Sequence, residues 1–270
     1  MVNQQLEDWV KKAKEGDREA LEQIVLRVKD RVYHLSLKML LYPEEAKDAT
    51  QDILIKIITH LGTFRGDSQF TTWVYRVATN MLLSRKGKKT QAFRLSFDEY
   101  ADLIDRGQSE LVHYTQNEGE LSLLEEEVKM SCTQGLLLCL EDQARLVYIL
   151  GELLELTSQQ GAEILDLSPA NFRKILSRSR VKIRGFLQQK CGLVEPSHSC
   201  RCKKKIDYLI SDKVIDPEQL RFAPHSHRSI DLVKQLAELE KVVAIYQTPP
   251  SQLAPPELVE KIKETLSLVR

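Results

Sequence analysis

Between residues 21 and 35 the apolar side chains Leu21, Ile24, Val25, Val28, Val32 and Leu35 recur at steps of three and four. Only a repeat near 3.6 residues brings these positions onto one stripe, so the segment is committed to an amphipathic α-helix. Gly16 and Asp17, just ahead of the stripe, form its start signal. A second helix is predicted from Pro43, with Glu44 and Glu45 in a first turn where the helix dipole favours anions. Ala46, Ala49, Ile53 and Ile57 form its buried side, and Glu45, Asp48, Gln51 and Asp52 its acidic side. Gly62, Gly66, Asp67 and Ser68 mark a loop over residues 62–70, and a further helix is expected from Thr71 to Arg85. Only 11 glycines and 6% aromatics in 270 residues suit a helical chain better than a sandwich or barrel.

Charge is distributed unevenly. The totals cancel, 39 Lys and Arg against 39 Asp and Glu, which argues against a uniformly basic nucleic-acid coat but not against local patches. Residues 95–131 hold ten acids and two bases, a net −8, with weak apolar periodicity before Leu121. This stretch reads as an acidic linker, mostly irregular. From Thr157 to Lys190 the balance is seven bases to two acids, nearly all on one segment. There Thr157 or Ser158 starts a short helix, Asp166 sits in a turn, and Ser168 caps a second helix with Pro169 at its first position. Two short helices joined this way predict a helix-turn-helix. Gly161 inside the first helix costs about 1 kcal/mol relative to alanine.

The block from Phe64 to Asn80 interleaves aromatics (Phe64, Phe70, Trp73, Tyr75) with cations (Arg65, Arg76) and is followed by Arg85. Aromatic faces can stack an unpaired base, cations can hold phosphates, and Asn80 can both donate to and accept from a base edge. The same residues are also compatible with an ordinary turn and a core tryptophan. No phosphate loop, HExxH or Gly-x-Ser-x-Gly elbow occurs, so an enzyme is not expected. No apolar run reaches the ~18 residues of a membrane helix, the first ten residues do not read as a signal peptide, and a reducing cytoplasm is the expected setting.

Three thiols and an imidazole (Cys191, His198, Cys200, Cys202) fall within twelve residues and could complete a tetrahedral zinc site. His225 and His227 are rival fourth ligands, and an unmetallated or redox-active cluster is the alternative. Cys132 and Cys139 are expected in the core.

Residues 43–52 (Pro-Glu-Glu-Ala-Lys-Asp-Ala-Thr-Gln-Asp), Phe64-Arg-Gly-Asp-Ser68, Thr72-Trp-Val-Tyr-Arg-Val-Ala78 and Asn80 together resemble the promoter-melting region of the extracytoplasmic-function sigma factors of bacterial RNA polymerase. The helix-turn-helix takes the place of the second sigma domain. The resemblance implies an all-α chain: a sigma region two over residues 1–90, the acidic linker over 91–131, a sigma region four over 132–187, and a mostly helical Cys/His extension over 188–270. It implies that Glu45, Asp48, Gln51 and Asp52 dock on core RNA polymerase through its β′ subunit, a solvated helix face being the plain alternative. It assigns Phe64, Arg65, Asp67, Ser68, Phe70, Tyr75, Arg76, Asn80, Arg85 and Lys86 to the −10 promoter element. It assigns Ser168, Asn171, Phe172, Arg173, Lys174, Ser177, Arg178 and Arg180 to the −35 element. The linker would lie in polymerase channels normally used by RNA, against the β and β′ subunits. Asp166 stands where glycine is common in the family and Phe172 where a β-branched residue is usual. The segment Tyr246 to Leu258 is loosely similar to anti-sigma proteins, so residues 188–270 are expected to regulate the sigma domains in cis, gated by metal or thiol state. A separate anti-sigma factor is left open, as is a stand-alone helix-turn-helix regulator with a metal- or redox-sensing tail.

Overall fold

The computed structural model describes residues 2–85, 95–223 and 254–268. Its described residues form eleven α-helices and no strand, which is the expected all-α class. In chain order they are α1 (Val2–Lys14), α2 (Arg18–Leu40), α3 (Pro43–Thr59), α4 (Phe70–Ser84), α5 (Phe97–Asp105), α6 (Glu118–Leu138), α7 (Asp142–Tyr148), α8 (Ser158–Leu165), α9 (Pro169–Lys190), α10 (Ile206–Ser211) and α11 (Pro256–Leu268). The chain forms two compact units, one of residues 1–90, 156–173 and 252–270, the other of residues 91–155 and 174–251.

In the first unit the start signals act as expected. Gly16 takes a φ of 97°, and Asp17 accepts the Ala20 N–H at 3.0 Å to cap α2. Pro43 opens α3. The stripe of α2 is buried from Ile24 to Leu35 against Ile53, Leu54 and Ile57 of α3 and Val74, Ala78 and Leu82 of α4. Helix α8 packs on α4, and α11 packs on α2 and α3. Leu258 and Ile262 of α11 are 0% and 1% exposed, and the Ala254 N–H donates to Asp30 Oδ1 at 2.7 Å. Residues 224–253 of the expected mostly helical extension lie outside the described residues.

The second unit corrects the reading of the acidic stretch as mostly irregular. Residues 97–105 and 118–131 are helical. Ser96 and Glu99 form a reciprocal capping box, with the Glu99 N–H on Ser96 Oγ at 3.1 Å and the Ser96 N–H on Glu99 Oε2 at 2.7 Å. Asn117 Oδ1 accepts from Gly119 and Glu120 to start α6. Long-range burial supplies what the local pattern lacks: Leu124 and Val128 join Val112, Ile206 and Ile215 in one core cluster. Glu127, only 1% exposed, accepts the backbone N–H groups of Arg221, Phe222 and Ala223 at 3.0, 2.8 and 2.8 Å. At the far end of α6 the buried Arg145 donates to the carbonyls of Leu137, Leu138 and Leu140 at 3.0, 3.3 and 3.0 Å. Its cation thereby satisfies terminal carbonyls that have no partner within the helix.

Candidate nucleic-acid interface

The loop ahead of α4 is held from below by aromatics. The Phe64 and Phe70 rings meet edge to face at 5.2 Å, and the Phe70 and Trp73 rings stack at 5.5 Å. Lys14 lies over the Phe64 ring at 5.4 Å and hydrogen-bonds the Phe64 carbonyl. Phe64 and Phe70 are 8% and 2% exposed, and Tyr75 is buried, its phenol held above the ordinary range by desolvation. These three residues therefore do not offer faces to a base as expected. Their apolar surface is used in anchoring the loop, a packing role that composition cannot distinguish from stacking on nucleic acid. The polar tip is what reaches solvent: Arg65, Gly66, Asp67 and Gln69 are exposed and Ser68 is half-buried. Gly66 has a φ of 85°, a conformation in which a side chain is strained.

Arg76 and Asn80 share a face of α4 at an i,i+4 spacing. Asn80 is exposed. Arg76 is engaged by α8: its Nε and Nη2 donate to the Glu163 carbonyl at 3.2 and 2.8 Å, and Nη2 lies 3.4 Å from Glu163 Oε1. Arg85 pairs with Asp52 at 2.8 Å. Lys86 lies outside the described residues. On α3, Glu45, Asp48, Gln51 and Asp52 fall on one stripe, with Asp48 and Asp52 exposed and the other two half-buried. The cleft of ≈ 170 Å³ between α3 and α4 is lined by Ala49, Asp52, Ile53, Met81, Leu82, Ser84 and Arg85. It falls below the roughly 300 Å³ at which small-molecule pockets begin.

The helix-turn-helix is built as its capping residues imply. Thr157 and Gln160 close a capping box on α8. Asp166 takes the left-handed conformation (φ 54°, ψ 47°), the role glycine fills more commonly. Ser168 Oγ accepts the Asn171 N–H at 3.2 Å at the start of α9. Phe172 is fully buried, so its assignment to the −35 set is corrected: it packs on α8 and faces no base edge. That position also explains Gly161, because a Cβ there would come within 2.3 Å of the Phe172 ring. Ser168, Asn171, Lys174, Ser177 and Arg178 are exposed along α9. Arg173 is exposed and donates to Ser158 Oγ at 3.2 Å, and Arg180 pairs with Glu152 at 2.5 Å. Val181 of α9 is 70% exposed.

Of the cysteine-rich segment, Cys191, Cys200 and Cys202 are half-buried. Gly192 N–H donates to the Cys200 carbonyl at 3.1 Å, and Arg201 Nη2 donates to the Pro196 carbonyl at 2.9 Å. The His198 ring lies against the Gln188 carbonyl, Nε2 to oxygen 2.8 Å. Among the described residues no three Cys, His, Asp or Glu side chains stand in a group that could hold a metal ion, so the predicted Cys191, His198, Cys200, Cys202 set is not assembled. His225 and His227 lie outside the described residues. Cys132 and Cys139 are half-buried rather than fully in the core, with both thiols pushed up to about 12, mainly by desolvation.

A helical chain carrying a helix-turn-helix with an exposed basic run, and a second helix pair that presents a polar loop on an aromatic anchor, has the features of a DNA-binding protein. Residues 24–91 match the family model for Sigma-70 region 2. The chain is 32% identical over 183 residues to the ECF RNA polymerase sigma factor SigW of Bacillus subtilis, covering 66% of this chain and 95% of that one. It is 30% identical to the RNA polymerase sigma factor YlaC of the same organism, over 62% of this chain and 91% of that one. To the ECF RNA polymerase sigma-E factor of Escherichia coli it is 27% identical, over 69% of this chain and 97% of that one. The chain belongs to the ECF sigma factors of RNA polymerase. Among the described residues no helix is long and apolar enough to cross a membrane.

Proposed function

We propose that this chain joins core RNA polymerase in the cytoplasm through the acidic stripe of α3, reads the −35 element with α9, and opens the −10 element with the 64–69 loop and α4. The observation that supports the reading is the presence of two differently built exposed polar surfaces on one chain. One is a helix with exposed Asn171, Lys174 and Arg178, suited to the major groove of intact duplex. The other is a polar loop tip with Arg65, Asp67 and Ser68, of a size to enclose an extruded base. Base capture offsets the cost of unstacking, so no catalytic group is required. In vitro transcription with purified core polymerase on a promoter library tests this reading, which fails if no defined start sites appear.

The C-terminal extension regulates this activity in cis, taking the part that a separate anti-sigma factor would otherwise play. One contact supports this. Helix α11 lies on α2 and α3, with Glu257 at 3.6 Å from Lys47, a neighbour of Glu45 and Asp48 on α3. Activation then consists of releasing α11 from α3.

A further inference from the structure

Residues 106–117 form no helix, and residues 118–129 of α6 carry five carboxylates against one lysine. A helix of about twelve such residues is marginal on its own. Both segments are nonetheless held in the second unit by one later stretch, residues 203–223, which contains α10 and lies more than 90 positions away. The hold begins at a turn: the Ser109 N–H donates to the Lys204 carbonyl at 2.9 Å, Lys204 Nζ pairs with Glu110 at 2.6 Å, and Lys205 Nζ donates to the Arg106 carbonyl. Asp207 of α10 then accepts the His113 and Tyr114 N–H groups, one on each carboxylate oxygen, at 2.7 and 3.1 Å. Ile206 and Ile215 close the core on Val112, Leu124 and Val128. The far end is fixed where Glu127 receives the N–H groups of residues 221–223. Gly107 shows how closely the two stretches meet. Its φ is 59°, and a Cβ there would lie 2.0 Å from the Tyr208 ring, so only glycine fits.

We infer that residues 203–223 are a strap that sets the length of the tether between α4 and the helix-turn-helix. The chain connecting those two elements runs through residues 106–129. With the strap docked, these residues are folded and the tether is short. Without it they lose Ile206 and Ile215 from their core and Asp207 from their backbone N–H groups. An acidic, self-repelling chain of this composition then extends. Passing from about 1.5 to about 3.3 Å per residue over residues 118–129 adds about 20 Å of reach. The strap is separate from the α11 contact, because it acts on the linker and not on α3. Two modules joined by a tether engage one ligand together only at separations that the tether spans. On the reading proposed above, that the chain reads a −35 and a −10 element, the docked strap therefore narrows the range of spacings between them that is accepted.

The test uses the full-length chain and two variants that pry the strap from opposite sides. Gly107→Ala drives a methyl into the Tyr208 ring, and Asp207→Ala removes the acceptor of two linker N–H groups. Hydrogen exchange read by mass spectrometry should show the amides of residues 106–129 exchanging roughly tenfold faster or more in both variants, with α2 and α3 unchanged. In the wild type at low urea, residues 106–129 and 203–223 should open together as one cooperative unit, a measurement that needs no variant to fold. Linker opening while residues 203–223 stay protected, or unchanged linker exchange in both variants, would overturn the strap. For its effect on spacing, core polymerase is supplied with templates whose −35 and −10 elements are moved apart one base pair at a time. Both variants should start transcription at separations several base pairs wider than the wild type accepts, since about 20 Å is roughly six steps of duplex. Faster linker exchange with the wild-type spacing profile would refute the length-setting role. A wild type that starts nowhere on any template would sink the promoter reading instead, while the exchange measurements still decide the strap.

Discussion

Replacing Leu258 and Ile262 by alanine truncates the two side chains that, among the described residues, bury α11 on α2 and α3. Both are essentially inaccessible to solvent, so each truncation forfeits about 2 kcal/mol of apolar burial. Together that is about 4 kcal/mol, or roughly a thousandfold in the ratio of docked to free α11. The Glu257–Lys47 pair, with Glu257 66% exposed, adds little and does not compensate. If only the undocked form binds core polymerase, the apparent Kd equals the intrinsic Kd divided by the undocked fraction. A wild type that is undocked about 1% of the time would therefore gain up to ~100-fold in affinity in the double variant, the ceiling being full release. Fluorescence anisotropy with labelled full-length chain measures the affinity, and hydrogen exchange over residues 256–268 reports whether α11 has left. Deletion of residues 252–270 should reach the same affinity as the double variant. If exchange shows α11 released while the Kd stays within about twofold of wild type, the helix does not gate polymerase binding and the reasoning fails.

Four other outcomes are expected. Arg145→Ala should destabilise the chain by about 3 kcal/mol in urea denaturation, since it takes away a buried charged donor to the carbonyls of Leu137, Leu138 and Leu140, and Arg145→Lys should recover little because an ammonium lacks the fork geometry. Gly161→Ala should cost about 1–3 kcal/mol by overpacking against Phe172, with most of that cost removed in a Phe172→Val background, as a double-mutant cycle would show. Burial holds His34 neutral, its pKa lowered to about 3 with help from Lys38. Below pH 6.5 the unfolded chain takes up a proton that the folded chain refuses, so stability should fall as pH drops from 6.5 toward 3 and be flat above that window for this group. A His34→Gln variant should lose that slope in urea midpoints taken at a series of pH values. Finally, Asn80→Ala should change preference at the −10 end of the promoter and Asn171→Ala at the −35 end; in vitro transcription on a promoter library in which both act at the same end would contradict the assignment of α4 and α9.

Helix starts were legible wherever a local device sets them. Asp17, Pro43, Thr157 and Ser168 act within one turn of their own position, through a side-chain oxygen or a fixed φ, and nothing distant is needed to read them. The acidic stretch was misread for the converse reason. The helix over residues 118–138 draws its burial from Ile206 and Ile215, and Glu127 is satisfied by backbone N–H groups some 94–96 residues away. Charge composition alone cannot tell a solvated carboxylate from one that receives three hydrogen bonds. In the aromatic block around residues 64–75, Phe64, Phe70 and Tyr75, like Phe172 of α9, are buried and support exposed polar neighbours. Aromatic rings serve a core and a base stack through the same apolar surface.

Periodicity, capping residues and the two motif blocks, all of which are short-range, determined the helical class, the helix-turn-helix and the family. Tertiary packing alone decided which side chains stay exposed, that Arg76 is occupied by Glu163, and that α11 covers part of α3. Those outcomes depend on which surfaces meet after the chain folds back on itself, and contacts between residues 87 to more than 200 positions apart leave no signal in the spacing of either segment.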